Sequence, residues 1–242
     1  LRAGGFANDC QVKIRWVDAE DIESRDDAEK CLERVDGVLV PGGFGVEGVV
    51  GILTTLTWAR DTGVPVLGIG LGAQCMAIEA ARNLAGLEGA TSAEFQEAPE
   101  HPVVVCGPEC PKMLDENGRG EKEMRLGAYP TRLVEGTRAR DIYGKENISE
   151  RHRHKYEINP AYEDQLAESG LLFSGWSPDG ELVEMVELPS DIHPYYIGTL
   201  ANPEFQSRPT NPHPLFASFV EAAINYELSK RTETSKRSEG SK

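Results

Sequence analysis

The sequence predicts an α/β fold: a mostly parallel central sheet with helices on both faces, plus a small antiparallel element. Three observations point there. Short continuous apolar runs, in "VDGVLVPGGFG" (35–45) and "VPVLGIG" (64–70), end in glycines, as strands covered on both faces do. Segments of helical period, 51–63 and 71–86, follow them. Further on, "LLFSGWSPDGELVEMVEL" (171–188) carries two strand-like runs around the turn Pro178-Asp179-Gly180.

The elements follow in order. "CQVKIRWVDAEDI" (10–22) alternates and predicts a strand, with acidic residues opening a helix after it. The strand of 35–45 runs into a glycine loop. "GILTTLTWARDTG" (51–63) predicts a helix closed by Gly63, and 64–70 the next buried strand. "LGAQCMAIEAARNLAG" (71–86) predicts a strong helix. The pattern loosens over 101–130, where "MLDENGRGEKE" (113–123) reads as a charged loop. The antiparallel element is expected over about 171–200. "HPYYIGTLANPEF" (193–205) predicts a strand leading into a loop, and "HPLFASFVEAAINYELSK" (213–230) a closing amphipathic helix. One domain over 1–228 with a polar, disordered tail over 229–242 is the expected organisation. The chain begins at Leu1 rather than Met and reads as a fragment or a processed chain.

Charge and composition narrow the function. With 25 basic and 40 acidic residues the net charge is −15, a field that repels nucleic acid and anionic membranes; the one basic run lies at the C-terminal end. An acidic surface is also a mark of salt adaptation. No apolar run approaches the ~20 residues that span a bilayer, and no signal peptide opens the chain. The five cysteines, at 10, 31, 75, 106 and 110, are odd in number and irregular in spacing, so reduced thiols of a cytoplasmic protein are expected. Cys106 and Cys110 lack the second pair a zinc site needs, and no metal or other cofactor is expected.

Two chemistries fit the strand–turn–helix at 64–83. Gly68, Gly70 and Ala73 match a dinucleotide-binding G-x-G-x-x-A, but the acid some 20 residues on would be Glu88, in a stretch that does not read as a strand end. The alternative is an acyl-transfer elbow. That chemistry needs a nucleophile at the apex, flanking N–H donors for an oxyanion, and a base oriented by a carboxylate. Gly43 and Leu71 would supply the donors, and Glu204 would orient a residue two positions earlier. Yet the apex is Gly70 and the position of the base is Asn202.

"VLVPGGFG", "LGIGLGAQ", "TSAEF", "MRLGAY", "ERHRHKYEIN", "LVEMVELP", "HPYYIG", "NPEFQSRP" and "PHPLFASF" occur in this order. Over about residues 5–227 the chain resembles the class I glutamine amidotransferase domain of CTP synthases, a flavodoxin-like fold. The resemblance implies a glutaminase that hydrolyses glutamine with a Cys-His-Glu triad and passes ammonia to a synthetase domain, which converts UTP to CTP. It implies that Glu204 is the third triad member, and that Gly43, Leu71, Gln74, Glu94 and Arg153 hold glutamine. Against that pattern, Gly70 stands for the cysteine and Asn202 for the histidine. Glu47 stands for an arginine, Ile52 for a lysine, Ala73 for a methionine, and Leu200-Ala201 for Gln-aromatic. Several of these remove volume, so a larger and less polar pocket is expected.

Plainer readings stand beside these. Cys75, five residues past the elbow, reads as a packed small apolar residue rather than a displaced nucleophile. His152 and His154 with Arg151 and Arg153 read as an alternating strand with one polar face rather than a metal or phosphate site. Glu94 and Arg153 are expected to pair with each other, His193 and His213 to occupy turns before proline, and Trp16, Trp58 and Trp176 to pack in the core or at its edge. The first function expected is a glutaminase-dead amidotransferase domain that binds glutamine weakly and docks on a synthetase domain. The second is a repurposed or engineered pocket on the same scaffold, with Lys155, Glu204 or Glu47 as its working groups.

Overall fold

The computed structural model of the chain describes residues 1–107 and 124–239, with side chains to 232; the loop expected at 113–123 lies outside them. The strands are β1 (Val38–Val40), β2 (Val66–Ile69), β3 (Thr91–Ser92), β4 (Pro102–Cys106), β5 (Arg125–Leu133), β6 (Asn147–His154), β7 (Tyr156–Ile158), β8 (Leu172–Trp176), β9 (Val183–Glu187) and β10 (Tyr196–Thr199). The α-helices are α1 (Arg2–Ala7), α2 (Arg25–Cys31), α3 (Val49–Thr62), α4 (Leu71–Asn83), α5 (Arg138–Tyr143), α6 (Glu163–Glu168) and α7 (Pro214–Glu239). The closing helix runs past the 213–230 expected and takes in residues 229–239 of the stretch expected to be a disordered tail.

Seven strands form one sheet in the order β1-β2-β10-β9-β8-β5-β6. The joins β1–β2 and β2–β10 are parallel, and every join from β10 to β6 is antiparallel. The α/β class is as expected, and the antiparallel part, expected over 171–200, reaches back to Arg125. A second sheet, β3-β4-β7, stands beside it. Strand β2 is buried throughout because helices cover both of its faces. Val66 joins a core with α3 and α4 residues such as Leu56, Ala73 and Met76, while Leu67 and Ile69 join Leu215, Phe216 and Phe219 of α7.

Local signals explain most boundaries. Ser24 and Asp27 form a reciprocal capping box at α2, and Gly63 ends α3 in the left-handed conformation (φ 71°). The β8–β9 hairpin turns at Pro178–Gly180, where the Asp179 carboxylate accepts from the Ser177 hydroxyl and the Glu181 N–H.

Three expectations need correction. Residues 10–22 form no strand: β1, at the end of the sheet, pairs with β2 alone among the described strands, and alternation by itself does not seat a segment on that open edge. Trp16, on that segment, is 86 % exposed rather than packed, whereas Trp58 and Trp176 are each 8 % exposed. Finally, Cys106 is engaged in a disulfide while Cys10, Cys31 and Cys75 are free.

The contrast among tryptophans is measurable. Trp16→Ala should change the free energy of urea unfolding by less than about 0.5 kcal/mol, and Trp58→Ala should cost about 3–5 kcal/mol. A cost at Trp16 comparable to that at Trp58 would mean that residues 10–18 are packed in solution.

Candidate active site

Gly70 is the residue between β2 and α4, with φ 53° and ψ −110°, a conformation that a residue bearing a Cβ adopts only under strain. Its N–H donates to Thr199 O (2.8 Å) and its carbonyl accepts from Gln74 N–H (3.0 Å), so the elbow is tied to β10 and to the first turn of the helix. A methyl built at Gly70 would meet one atom within 4 Å, the Cα of Gly42 at 3.5 Å. The apex therefore has room for a side chain and a backbone that resists one.

Gly68 has a different job from the one its motif offered. A Cβ there would lie 2.8 Å from Gly72 C and 2.9 Å from Ala73 N, so this glycine lets α4 lie against the sheet. Glu88 sits exposed in a turn, away from any strand end. Neither residue builds a dinucleotide site.

Around the elbow the chain closes a cavity of about 300 Å³. Its wall includes Gly43, Gly70, Leu71, Gln74, Glu94, Arg153, Asn202 and Glu204, so the positions that the resemblance assigns to the triad and to glutamine lie on one cavity. Gly43 comes from the loop after β1, Glu94 from the turn after β3, Arg153 from the end of β6, and Asn202 and Glu204 from the loop after β10. Among the described residues, neither the Gly43 nor the Leu71 N–H donates to a protein acceptor. The Asn202 amide donates to Glu204 Oε1 (2.8 Å), and its own N–H to Arg151 O (2.7 Å). Asn202 Oδ1 finds no donor among the described residues. The Gln74 side chain is buried and donates to Tyr156 O (2.8 Å).

The cavity wall carries charge as well as apolar surface. Glu94, Arg153, Lys155 and Glu204 all line it. Of the volume-removing departures only Gly70 faces it; Ala73 packs 3.0 Å from the Cβ position of Gly198, and Leu200 and Ala201 are buried. Glu47 does not line it either, and its carboxylate lies against Gly45. Glu94 and Arg153 do not pair. Glu94 Oε1 accepts from Gly45 N–H (2.9 Å), and the Arg153 guanidinium lies 5.6 Å from the Phe44 ring centroid. Phe44 and Phe205, on the cavity wall and half-exposed, went unmarked in the sequence, as did Tyr156, which contributes a carbonyl rather than a side chain. No local signal marks them.

Behind the cavity wall lies a buried charged cluster. The alternation of β6 holds, but its inward face is the one bearing Glu150, His152 and His154, with Arg151 and Arg153 outside. Arg125 on β5 donates to Glu184 Oε1 on β9 (2.5 Å) and lies 3.6 Å from Glu157 Oε1 on β7, which His154 Nε2 also contacts (2.9 Å). Burial, reinforced by His154 and Arg125, lowers the His152 pKa to about 2, so its 3.5 Å approach to Glu184 is not an ion pair at neutral pH. Burial raises the Glu184 pKa, with Arg125 opposing. Among the described residues no group of His, Cys, Asp and Glu is arranged to hold a metal ion. His193 and His213 do sit before proline, but both are buried; His213 Nε2 lies 3.0 Å from Glu150 Oε1. Burial pushes the Cys75 thiol up to about 12, which leaves it a packed apolar residue.

An elbow with a positive-φ apex, two unengaged N–H donors beside it and a carboxylate bonded to Asn202 of its own loop make up the frame of an amidotransferase class of site. The chain belongs to the class I glutamine amidotransferase family, whose model matches residues 1–222, and it is an amidotransferase domain of the CTP synthase type. It is 51 % identical to a CTP synthase of Saccharopolyspora erythraea over 231 residues, covering 96 % of this chain and 41 % of that protein. A CTP synthase of a Nocardioides species is 54 % identical over 224 residues, 93 % of this chain and 39 % of that one. The chain thus spans about two fifths of the length of these relatives. Among solved structures, the Trypanosoma brucei CTPS glutaminase domain with bound acivicin superposes with a TM-score of 0.82 at 35 % identity, covering 93 % of this chain and 85 % of that one.

Two outcomes follow from this geometry. Gly70→Cys should fold and melt no higher than the parent, with a loss of about 1–2 kcal/mol from the strained apex; a clear rise in melting temperature would mean a relaxed turn. His152 should make the fold sensitive to acid. Its folded pKa lies far below its unfolded value, so as pH falls below about 6.5 the unfolded chain takes up a proton that the folded one refuses. Stability then drops by up to about 1.4 kcal/mol per pH unit. Glu184, shifted upward, acts with the opposite sign near the carboxylate range, so the comparison belongs between pH 6.5 and 5. The unfolding free energy of the parent should fall more steeply there than that of His152→Gln. Equal slopes would mean that His152 is protonated in the folded chain.

Proposed function

We propose that this domain binds glutamine in the cavity at Gly70 and does not hydrolyse it. The observation that carries the reading is the contact between Glu204 and Asn202 at 2.8 Å, opposite the side-chain-free apex. A carboxylate held on position 202 is the third part of a nucleophile–base–orienter arrangement whose first two parts have no reactive atoms here. Glycine offers no nucleophile, and an amide side chain cannot take up a proton at neutral pH. Gly43 and Leu71 remain as N–H donors for an amide carbonyl, while Glu94 and Arg153 match the ammonium and carboxylate of an amino acid.

In its relatives of the CTP synthase type, the family resemblance implies, such a domain supplies ammonia from glutamine for the conversion of UTP to CTP. This copy would keep the fold and the docking face toward a synthetase domain without that supply. A cytoplasmic location fits the reading, and no described helix is long and apolar enough to cross a membrane.

Restoring the missing atoms tests the proposal. Ammonia and glutamate release is to be measured for the parent, Gly70→Cys, Asn202→His and the double variant. The parent should be inactive, the double variant should regain measurable glutaminase activity, and each single variant much less, since triad members act as a unit. Hydrolysis by the parent at the rate of its relatives would overturn the reading. A double variant that is folded, binds glutamine and stays inert would mean that positions 70 and 202 do not cooperate across the cavity.

A further inference from the structure

At the elbow three glycines leave part of the cavity wall without side chains. Gly42, Gly43 and Gly70 line it, and a methyl built at Gly70 would touch nothing nearer than the Gly42 Cα at 3.5 Å. The remaining wall carries opposite charges at separate points: Arg153 and Lys155 from the β6–β7 corner, and Glu94 fastened to Gly45 N–H. A zwitterionic α-amino acid matches those charges, and a carbonyl on its side chain matches the unengaged Leu71 and Gly43 N–H groups. Such a ligand, its carbonyl bound beside the elbow, brings whatever is attached to that carbonyl to the side-chain-free apex.

We infer that the site accepts γ-substituted glutamyl compounds, secondary amides above all, whose substituent fills the space over Gly70. This inference rests on the glutamine-binding reading and extends it from a primary amide to a larger ligand class. The physical ground is exclusion. Any residue bearing a side chain at position 70 would project a Cβ into that space and meet an N-alkyl group there. Glycine leaves it open, and burial of the added methylenes favours the larger ligand.

Titration calorimetry of the chain with L-glutamine and with γ-N-ethyl-L-glutamine tests this. The N-ethyl amide should bind at least as tightly as glutamine, up to roughly tenfold tighter. In Gly70→Ala the order should reverse, because the added methyl occupies the same space. If glutamine binds the unmutated chain and the N-ethyl amide binds tenfold or more weakly, the inference is overturned and the glutamine reading survives. If neither ligand binds the folded chain at millimolar concentration, the glutamine reading fails and takes the inference with it. Should Gly70→Ala not fold, the order of the two ligands on the unmutated chain decides alone.

Discussion

The approach of α4 to the sheet is the constraint on which the rest depends. A Cβ at Gly68 would lie 2.8 Å from Gly72 C, one at Gly72 would lie 2.3 Å from Val40 O, and one at Gly198 would lie 3.0 Å from Ala73 Cβ. Three glycines thus let one helix touch β1, β2 and β10 at backbone distance. Any larger residue would push the helix outward, and with it the elbow at Gly70 and the Leu71 N–H. The positive φ at Gly70 is the local consequence: a chain leaving a central strand must turn sharply to bring its helix back onto that same strand. The cavity is the space left between this elbow and the loops after β1 and β10.

A second constraint fixes the far wall. Strands β6 and β7 belong to different sheets, yet they are separated by Lys155 alone, and Arg153, Lys155 and Tyr156 at this corner line the cavity. No proline or glycine shapes the corner. Instead the buried cluster behind it joins the two sheets: Arg125 from β5 meets Glu184 of β9 and Glu157 of β7, and Glu157 meets His154 of β6. One guanidinium faces two buried carboxylates; burial raises the Glu184 pKa against the pull of Arg125, and His152 stays neutral beside them. Such an arrangement is weak as a source of stability, because desolvation consumes most of the Coulombic gain. Its value lies in direction, since charged partners at fixed distances hold strand ends that apolar packing would let slide.

The loops around the elbow hold an open frame. Glu204 is aimed at position 202, the donors beside the elbow are unengaged, and Gln74 is locked by Tyr156, so nothing in the frame has collapsed around Gly70. Glu94 and Arg153 stayed apart because each has another partner: a backbone N–H fixes the carboxylate, and the Phe44 ring takes the guanidinium.

By itself the sequence determined the elements that local chemistry sets. The strand–glycine–helix run of 64–83, the Gly63 stop, the hairpin turn at Pro178–Gly180 and the spacing from Asn202 to Glu204 each rest on residues a few positions apart, where period and turn propensity operate. The family motifs carried the candidate residues further, and all eight lie on one cavity. Tertiary structure decided what depends on a distant partner. Residues 10–18 alternate as a strand does, but they do not join the open edge of β1, and Trp16 is left in solvent. Alternation over 151–154 separates histidines from arginines, yet only the packing of β5, β7 and β9 decides that the histidines face inward and that His152 loses its charge. The same holds for the cavity wall: residue size at positions 73 and 201 indicated lost volume, but those side chains are buried in the core, because a single sequence does not tell which side of a strand or helix the ligand will occupy.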